Sequence, residues 1–248
     1  MENIRHFLDL DRLDSSMLRG LIKHAKKLKT ENNSGQLNDS LAGKNLVCIF
    51  EKQSTRTRIS FQLGMQQLGG TVAIMNENDF HMGKTESIAD TARVLSRFSD
   101  AIMLRTDRPE KLHELANNAT IPVINGLTDF SHPCQIMADI MTFEEHRGPI
   151  KGKKVVWSGD GNNTFTSFVH AAGQFGFNLT FTGPEVLEPL KSLLDDARAK
   201  GVNLEIDRNP YTAVKDADLV VTDTWLSMHD LQSARERRHN QLRNYQVN

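Results

Sequence analysis

The sequence predicts an α/β protein made of two doubly wound, parallel-sheet domains, and three observations carry that prediction. Short apolar runs that read as buried strands alternate with amphipathic segments of helical period from residue 46 onward. The alternation is interrupted once, where Arg147-Gly148-Pro149 and Lys151-Gly152-Lys153 form a turn-rich, charged break, and then restarts. The length of 248 residues suits two modest domains of roughly 100–200 residues each. Domains are therefore expected over 1–147 and 148–248.

The elements follow in order. Leu18, Leu21, Ile22, Ala25 and Leu28, with lysines between them, predict an amphipathic helix over 14–29, capped by Asp14 or Ser15. A polar stretch from Glu31 to Ser40 reads as a loop. Leu46-Val47-Cys48-Ile49-Phe50 is the first strand; a helix then begins near Ser54 and carries Ile59, Leu63 and Leu68 inward. Gly69-Gly70 stops it and leads into a strand over 71–75. Helices over 86–97, 110–118 and 133–146 enclose strands over 101–104 and 121–124. In the second half, strand 154–158 feeds helix 163–175 and strand 178–182 feeds helix 185–199. Short strands follow near 203–206 and 218–222. In open parallel sheets ligands sit outside the carboxyl ends of the strands, so the strand-to-helix loops are where chemistry is expected.

Composition narrows the function classes. Thirty Lys and Arg face 31 Asp and Glu, for a formal net charge of −1. No global field favours nucleic acid or a membrane surface, and any anion binding must be local. The two cysteines, Cys48 and Cys134, make no disulfide framework and lack metal-ligand spacing. A reducing cytosol is the default. The opening Met1-Glu2-Asn3-Ile4-Arg5-His6 carries charges where a signal peptide needs an apolar core. No apolar run approaches the roughly 20 residues of a spanning helix. A soluble, cytoplasmic protein is expected.

Several loops carry unusual polar groups. Ser54-Thr55-Arg56-Thr57-Arg58 directly follows a strand and opens a helix. It concentrates hydroxyls, guanidinium groups and unpaired N–H donors where the helix end is partially positive, as phosphate binding requires. The plain alternative is a serine N-cap followed by solvated arginines. Arg105 ends the third strand, a position that most arginines occupy as solvated groups. His132 and Gln135 flank Pro133 at a helix start and are placed to act as neutral hydrogen-bond donors. Cys134 beside His132 invites a thiol-nucleophile reading, which lacks an orienting third group. Gly83-Lys84-Thr85 resembles the end of a P-loop, but Asn78 stands where its first glycine belongs. Gly159-Asp160-Gly161 matches only part of a dinucleotide fingerprint, since Thr164 takes the place of the third glycine. Arg235-Glu236-Arg237-Arg238-His239 reads as a solvated helix face.

Ser54-Thr55-Arg56-Thr57-Arg58, together with the three later loops, resembles the aspartate/ornithine transcarbamoylase family. The resemblance implies a carbamoyl phosphate site of Ser54, Thr55, Arg56, Thr57, His81, Arg105, His132 and Gln135, with Arg56, Arg105, His132 and Gln135 catalytic. Donors there would stabilise negative charge on the carbonyl oxygen as an amine attacks. His81 would be supplied in trans by a neighbouring subunit, which implies an oligomer built on a trimer. No metal and no organic cofactor is implied.

Gly159-Asp160-Gly161-Asn162-Asn163 and Asp223-Thr224-Trp225-Leu226-Ser227-Met228 resemble the ornithine branch. They imply an amino-acid site of Asn163, Asp223, Ser227 and Met228. An aspartate-using enzyme wants cations there, whereas ornithine brings an amine for Asp223. The expected reaction is carbamoyl transfer from carbamoyl phosphate to the δ-amine of L-ornithine. The alternatives are a sister enzyme with another amine acceptor and a truncated, non-catalytic homologue. Two departures stand out. His229-Asp230 replaces the usual glycine after Ser-Met. The chain ends at Asn248, before the family's His-Cys-Leu-Pro strand, later arginine and terminal helix. The second domain is therefore expected to be incomplete at its C-terminus, with a sheet edge exposed and activity low.

Overall fold

The computed structural model describes residues 6–77, 79, 82–83, 85–226 and 235–248. Two compact units result, Met1–Cys134 and Gln135–Asn248. The division falls in the first turn of a helix, Pro133–Arg147 (α5), whereas the sequence reading places it after that helix. Each unit is described by itself.

The first unit opens with α1, Ser15–Asn33, whose N-cap Asp14 accepts the Met17 N–H at 2.9 Å. Its sheet holds β1 (Asn45–Phe50), β2 (Thr71–Asn76), β3 (Ala101–Arg105) and β4 (Val123–Leu127). All pairings are parallel, in the order β2-β1-β3-β4. β1 is buried from Leu46 to Phe50 because helices cover both sheet faces, which explains an apolar run in place of alternation. On one face Val47, Ile49, Ile102, Leu104 and Val123 pack with α3 (Ile88–Phe98) and α4 (Pro109–Asn118). On the other, Leu46, Cys48, Phe50 and Met103 meet α2 (Thr55–Gln67).

The face of α2 differs from expectation. Ile59 and Leu63 are about half exposed, and Phe61 and Met65 pack against the sheet instead. Both pairs have i,i+4 spacing, but two residues of helix turn the side chain by about 200°. Periodicity thus found the helix and picked the wrong stripe. β4 also starts later than expected and runs to Leu127, through a register shift opposite Leu104/Arg105.

The second unit holds β5 (Lys154–Ser158), β6 (Asn178–Thr182), β7 (Leu204–Ile206) and β8 (Leu219–Val221), parallel in the order β7-β6-β5-β8. Its core is aromatic. Trp157 packs on Phe165 and Phe168 of α6 (Asn163–Phe175), and Phe165 meets Phe181 edge-on at 5.0 Å. The helix expected over 185–199 is split into a 3-10 turn, Glu185–Leu187, and α7, Lys191–Ala199. Pro189 lies between them and has no N–H to continue a helix. A single turn, α8 (Pro210–Ala213), and α9 (Arg235–Leu242) complete the described helices. β8 is an edge strand of this sheet, with Val220 36% exposed. Among the described residues no helix is long and apolar enough to cross a membrane.

Both sheets reverse direction at their first strand. The chain steps from β1 outward to β2 and then returns to the other side of β1 as β3. Likewise it steps from β5 to β6 and β7 before β8 returns beside β5. Loops after β1 and β3 diverge around one crevice, and loops after β5 and β8 around another, as at the switch points of open α/β sheets.

Candidate active site

The first crevice gathers the phosphate-binding candidates. Ser54 stands at the N-cap of α2 in extended conformation, and its side chain makes no capping bond. The serine-cap alternative therefore fails, and the first N–H groups of α2 keep their capacity for an anion. Thr55 and Arg56 are exposed in the first turn, with Thr57 half-buried. Arg105 is only 3% exposed, and its Nη1 donates to Thr57 Oγ1 at 3.0 Å. Its Nε is buried with no hydrogen-bond partner. Burial, and then the charge of Arg56, push the Arg105 guanidinium below its ordinary range. Among the described residues neither arginine has an acidic partner. Two adjacent cations, one buried with an idle donor, are the electrostatic complement of a small dianion.

Glu51 braces this arrangement and was missed by the sequence reading. Its backbone N–H donates to the Arg105 carbonyl at 3.0 Å. Its carboxylate accepts from Lys111 Nζ at 2.7 Å and from the buried Thr106 hydroxyl. The loop bearing Ser54 is thereby tied to the loop that follows Arg105. Gly126 was missed as well. A Cβ there would collide with Met103 Sδ and stand 3.2 Å from the Leu104 carbonyl oxygen, so the close packing of β4 on β3 beside Arg105 favours glycine.

His132 is half-buried and immediately precedes α5. The turn before it is fixed by Thr128, whose hydroxyl accepts the Ser131 N–H, and by Asn125, whose Nδ2 donates to Ser131 Oγ at 3.1 Å. Cys134 donates to the Asn125 carbonyl, and burial pushes its thiol up to about 12. It is a neutral packing group, and the thiol-nucleophile reading does not hold. Gln135, in the first turn of α5, is exposed; its Nε2 donates to Asp139 Oδ1 at 2.8 Å. His81, Ser227, Met228 and the His229-Asp230 departure lie outside the described residues.

The second crevice gathers the amino-acid-binding candidates. Asp223 is half-buried; its Oδ2 accepts from Asn162 Nδ2 at 3.0 Å and Thr164 Oγ1 at 3.3 Å, while Oδ1 accepts the Thr224 N–H at 2.7 Å. Asn163 opens α6 and is half-buried. Asn162, not singled out beforehand, is the hinge of the arrangement. Its Oδ1 caps α6 by accepting the Thr164 and Phe165 N–H groups, while its Nδ2 holds Asp223. Gly161 admits the backbone of Pro189, whose Cδ lies 2.6 Å from where a Cβ would stand. The basic segment is less solvated than expected. Arg238 pairs with Asp160 at 3.0 Å, and His239 meets Trp225 edge-on at 5.0 Å. The nearest unpaired capacity in both crevices therefore complements an anion in the first and a cation in the second.

Two family descriptions match the chain in succession: "Aspartate/ornithine carbamoyltransferase, carbamoyl-P binding domain" over residues 5–145, and "Aspartate/ornithine carbamoyltransferase, Asp/Orn binding domain" over 151–248. The chain belongs to this family. The first description spans the crevice of Ser54 and Arg105, and the second spans that of Asn162 and Asp223. Among family relatives, the ornithine carbamoyltransferase of Paracoccus denitrificans is 58% identical over 98% of this chain and 80% of the relative. That of Roseobacter denitrificans is 58% identical over 98% and 81%. Among solved structures, the ornithine carbamoyltransferase of Pyrococcus furiosus superposes with a TM-score of 0.92 at 42% identity, covering 98% of this chain and 79% of that one. The anabolic ornithine carbamoyltransferase of Campylobacter jejuni gives 0.91 at 32% identity, covering 99% and 80%. The chain thus spans about four-fifths of the length of these family members.

Proposed function

We propose that the chain transfers the carbamoyl group of carbamoyl phosphate to the δ-amine of L-ornithine, giving L-citrulline and phosphate. The observation that carries this reading is the uncapped N-terminus of α2 beside Arg105, whose buried Nε has no partner. The phosphate is received by the N–H groups and hydroxyls of Ser54, Thr55 and Thr57 with Arg56 and Arg105. Dispersal of its charge favours its departure as leaving group. His132 donates to the carbonyl oxygen, where negative charge develops as the amine attacks. In the second unit Asp223, preorganised by Asn162 and Thr164, holds an ammonium of ornithine, with Asn163, Ser227 and Met228 engaging the rest of its amino-acid end. The attacking δ-amine must be neutral, so turnover rises with pH until other titrations intervene.

The family likeness further supports assembly as a homotrimer with His81 contributed in trans, and a place in cytoplasmic arginine biosynthesis. A domain boundary near residue 147 fits the two family descriptions, which end and restart around it. The deciding experiment is a colorimetric citrulline assay with a panel of ornithine, putrescine, acetylated ornithine and aspartate. Carbamoylation of ornithine in clear preference to the others is expected. Preference for another amine would assign the chain to a sister activity, and absence of any carbamoyl transfer would defeat the proposal. Sedimentation equilibrium tests the trimer.

A further inference from the structure

β4 stands last in the order of the first sheet, and its outer edge carries a short strap of chain, His6 to Leu8. Phe7 bridges to Ile124 in parallel: its N–H donates to the Val123 carbonyl at 2.8 Å, and its carbonyl accepts the Asn125 N–H at 2.8 Å. The Val123 N–H donates to His6 Nδ1 at 3.1 Å, so that nitrogen carries no proton. The Asn125 side chain extends the attachment. Its Nδ2 donates to the Leu8 carbonyl at 2.9 Å and to Ser131 Oγ at 3.1 Å. A carbonyl only accepts, so the Leu8 bond fixes which way the amide points. Both amide hydrogens are then engaged, one on the strap and one on the turn that follows β4.

Asn125 is fully buried, and its Oδ1 has no hydrogen-bond partner. A residue that only filled this space would carry that desolvation for nothing, and a leucine of similar volume would avoid it. What the amide supplies is a link. Ser131 is itself buried; its N–H donates to Thr128 Oγ1 at 3.2 Å and its carbonyl accepts the Thr128 N–H at 2.9 Å, which closes the turn around it. His132 is the next residue. Resting on the function proposed above, we propose that Asn125 is a positioning residue, which clamps the turn that presents His132 to the strap of His6, Phe7 and Leu8. The strap is thereby part of what holds His132 in place, although it stands at the other end of the first unit's sequence.

The test cuts the clamp at Ser131. Ser131→Ala removes one acceptor of the amide and leaves its bond to Leu8. His132 is assigned to a charge that develops in the transition state, so its displacement is read in kcat. A fall in kcat of about ten- to hundredfold is expected, with KM for each substrate within about twofold. In a His132→Ala background the same substitution is expected to cost less than about twofold. Asn125→Leu keeps the volume, removes both donors and is expected to lower kcat at least as far; should it not fold, Ser131→Ala carries the test alone. A wild-type kcat in either folded variant, or losses that multiply across the two backgrounds, would overturn the inference. In parallel, the Asn125 side-chain amide is followed by nitrogen-15 NMR, assigned through its contacts with Phe7 and Leu8. In Ser131→Ala one of its two hydrogens is expected to lose its hydrogen-bonded shift while the other keeps it, and an unchanged pair would overturn the clamp. This arm needs no turnover. A wild-type chain that makes no citrulline would therefore count against the proposed function, while the amide signals still judge the clamp.

Discussion

Arg105 donates from Nη1 to Thr57 Oγ1 at 3.0 Å, while its buried Nε has no partner. The bond ties a planar fork to the first turn of α2, and the idle Nε is the donor that the proposed function assigns to a phosphate oxygen. Arg105→Lys keeps the charge and loses the fork. It is expected to reduce kcat/KM for carbamoyl phosphate by about 10²–10³-fold, as for loss of one preorganised donor. Steady-state kinetics with each substrate varied will check this, and Arg56→Ala should behave alike.

Glu51 ties the loop of Ser54 to the loop after Arg105 through Lys111 and Thr106. Glu51→Ala leaves the fully buried Thr106 hydroxyl, and Lys111 beside it, without Glu51 as acceptor. A loss of roughly 1–3 kcal/mol in urea unfolding is expected, the usual cost of a stranded buried partner. The KM for carbamoyl phosphate should rise with it, whereas that for ornithine should stay near wild type.

Gly126→Ala is expected to act at a distance from any ligand. The new methyl meets Met103 Sδ and presses on the Leu104 carbonyl oxygen, in the strand that carries Arg105. Overpacking of this kind costs roughly 1–3 kcal/mol, measurable as a lower thermal midpoint. Carbamoyl phosphate affinity should fall beyond what a neutral surface substitution causes.

Asp223→Asn removes the charge that faces the proposed ammonium and retains the shape. Hydrogen bonds to charged groups contribute about 1.5–3 kcal/mol, so the KM for ornithine is expected to rise by about one to two orders of magnitude. Carbamoyl phosphate binding, followed by calorimetry, should change little. Equal effects on both substrates would refute the assignment of Asp223 to the amino-acid site.

Asp139 gives a pH signature of stability. Its carboxyl is held above the ordinary range, mainly by burial and further by Asp223, against which the Gln135 bond works. A folded-state value raised above the unfolded one means that folding favours the protonated form. The stabilising contribution is complete below the unfolded value and is lost as pH rises through the folded one. Asp139→Asn, permanently neutral, should therefore melt at a higher temperature than wild type at pH 7. The difference should shrink as pH falls below the Asp139 titration, in a series of melts from pH 7 to pH 4.

Strand and helix placement was legible because buried parallel strands read as short apolar runs, and Gly and Pro mark the turns between them. β5, α6 and β6 lie where the pattern puts them, at Lys154–Ser158, Asn163–Phe175 and Asn178–Thr182. The stripe of α2 was not legible, since Ile59/Leu63 and Phe61/Met65 satisfy the same spacing and only the neighbouring sheet chooses between them. The candidate site shows the same divide. Ser54, Thr57, Arg105 and Asp223 announce themselves by residue type at strand ends. Glu51, Gly126, Asp139 and Asn162 act through partners 4 to 61 positions away, for instance Asn162 with Asp223 and Gln135 with Asp139. One weak signal existed, since Asp139 follows Gln135 at the i,i+4 spacing that helices make adjacent.

Asn162 spends its oxygen on the first turn of α6 and its amide nitrogen on Asp223. Re-specialising this chain toward an acceptor with an acidic tail is therefore not a one-step evolutionary move. Replacing Asp223 by a cation would strand the Asn162 nitrogen, and replacing Asn162 as well would uncap α6, at about 1 kcal/mol. The two residues form a ratchet: each neutralises the benefit of changing the other alone, so under the proposed function acceptor choice is locked by epistasis as much as by fit.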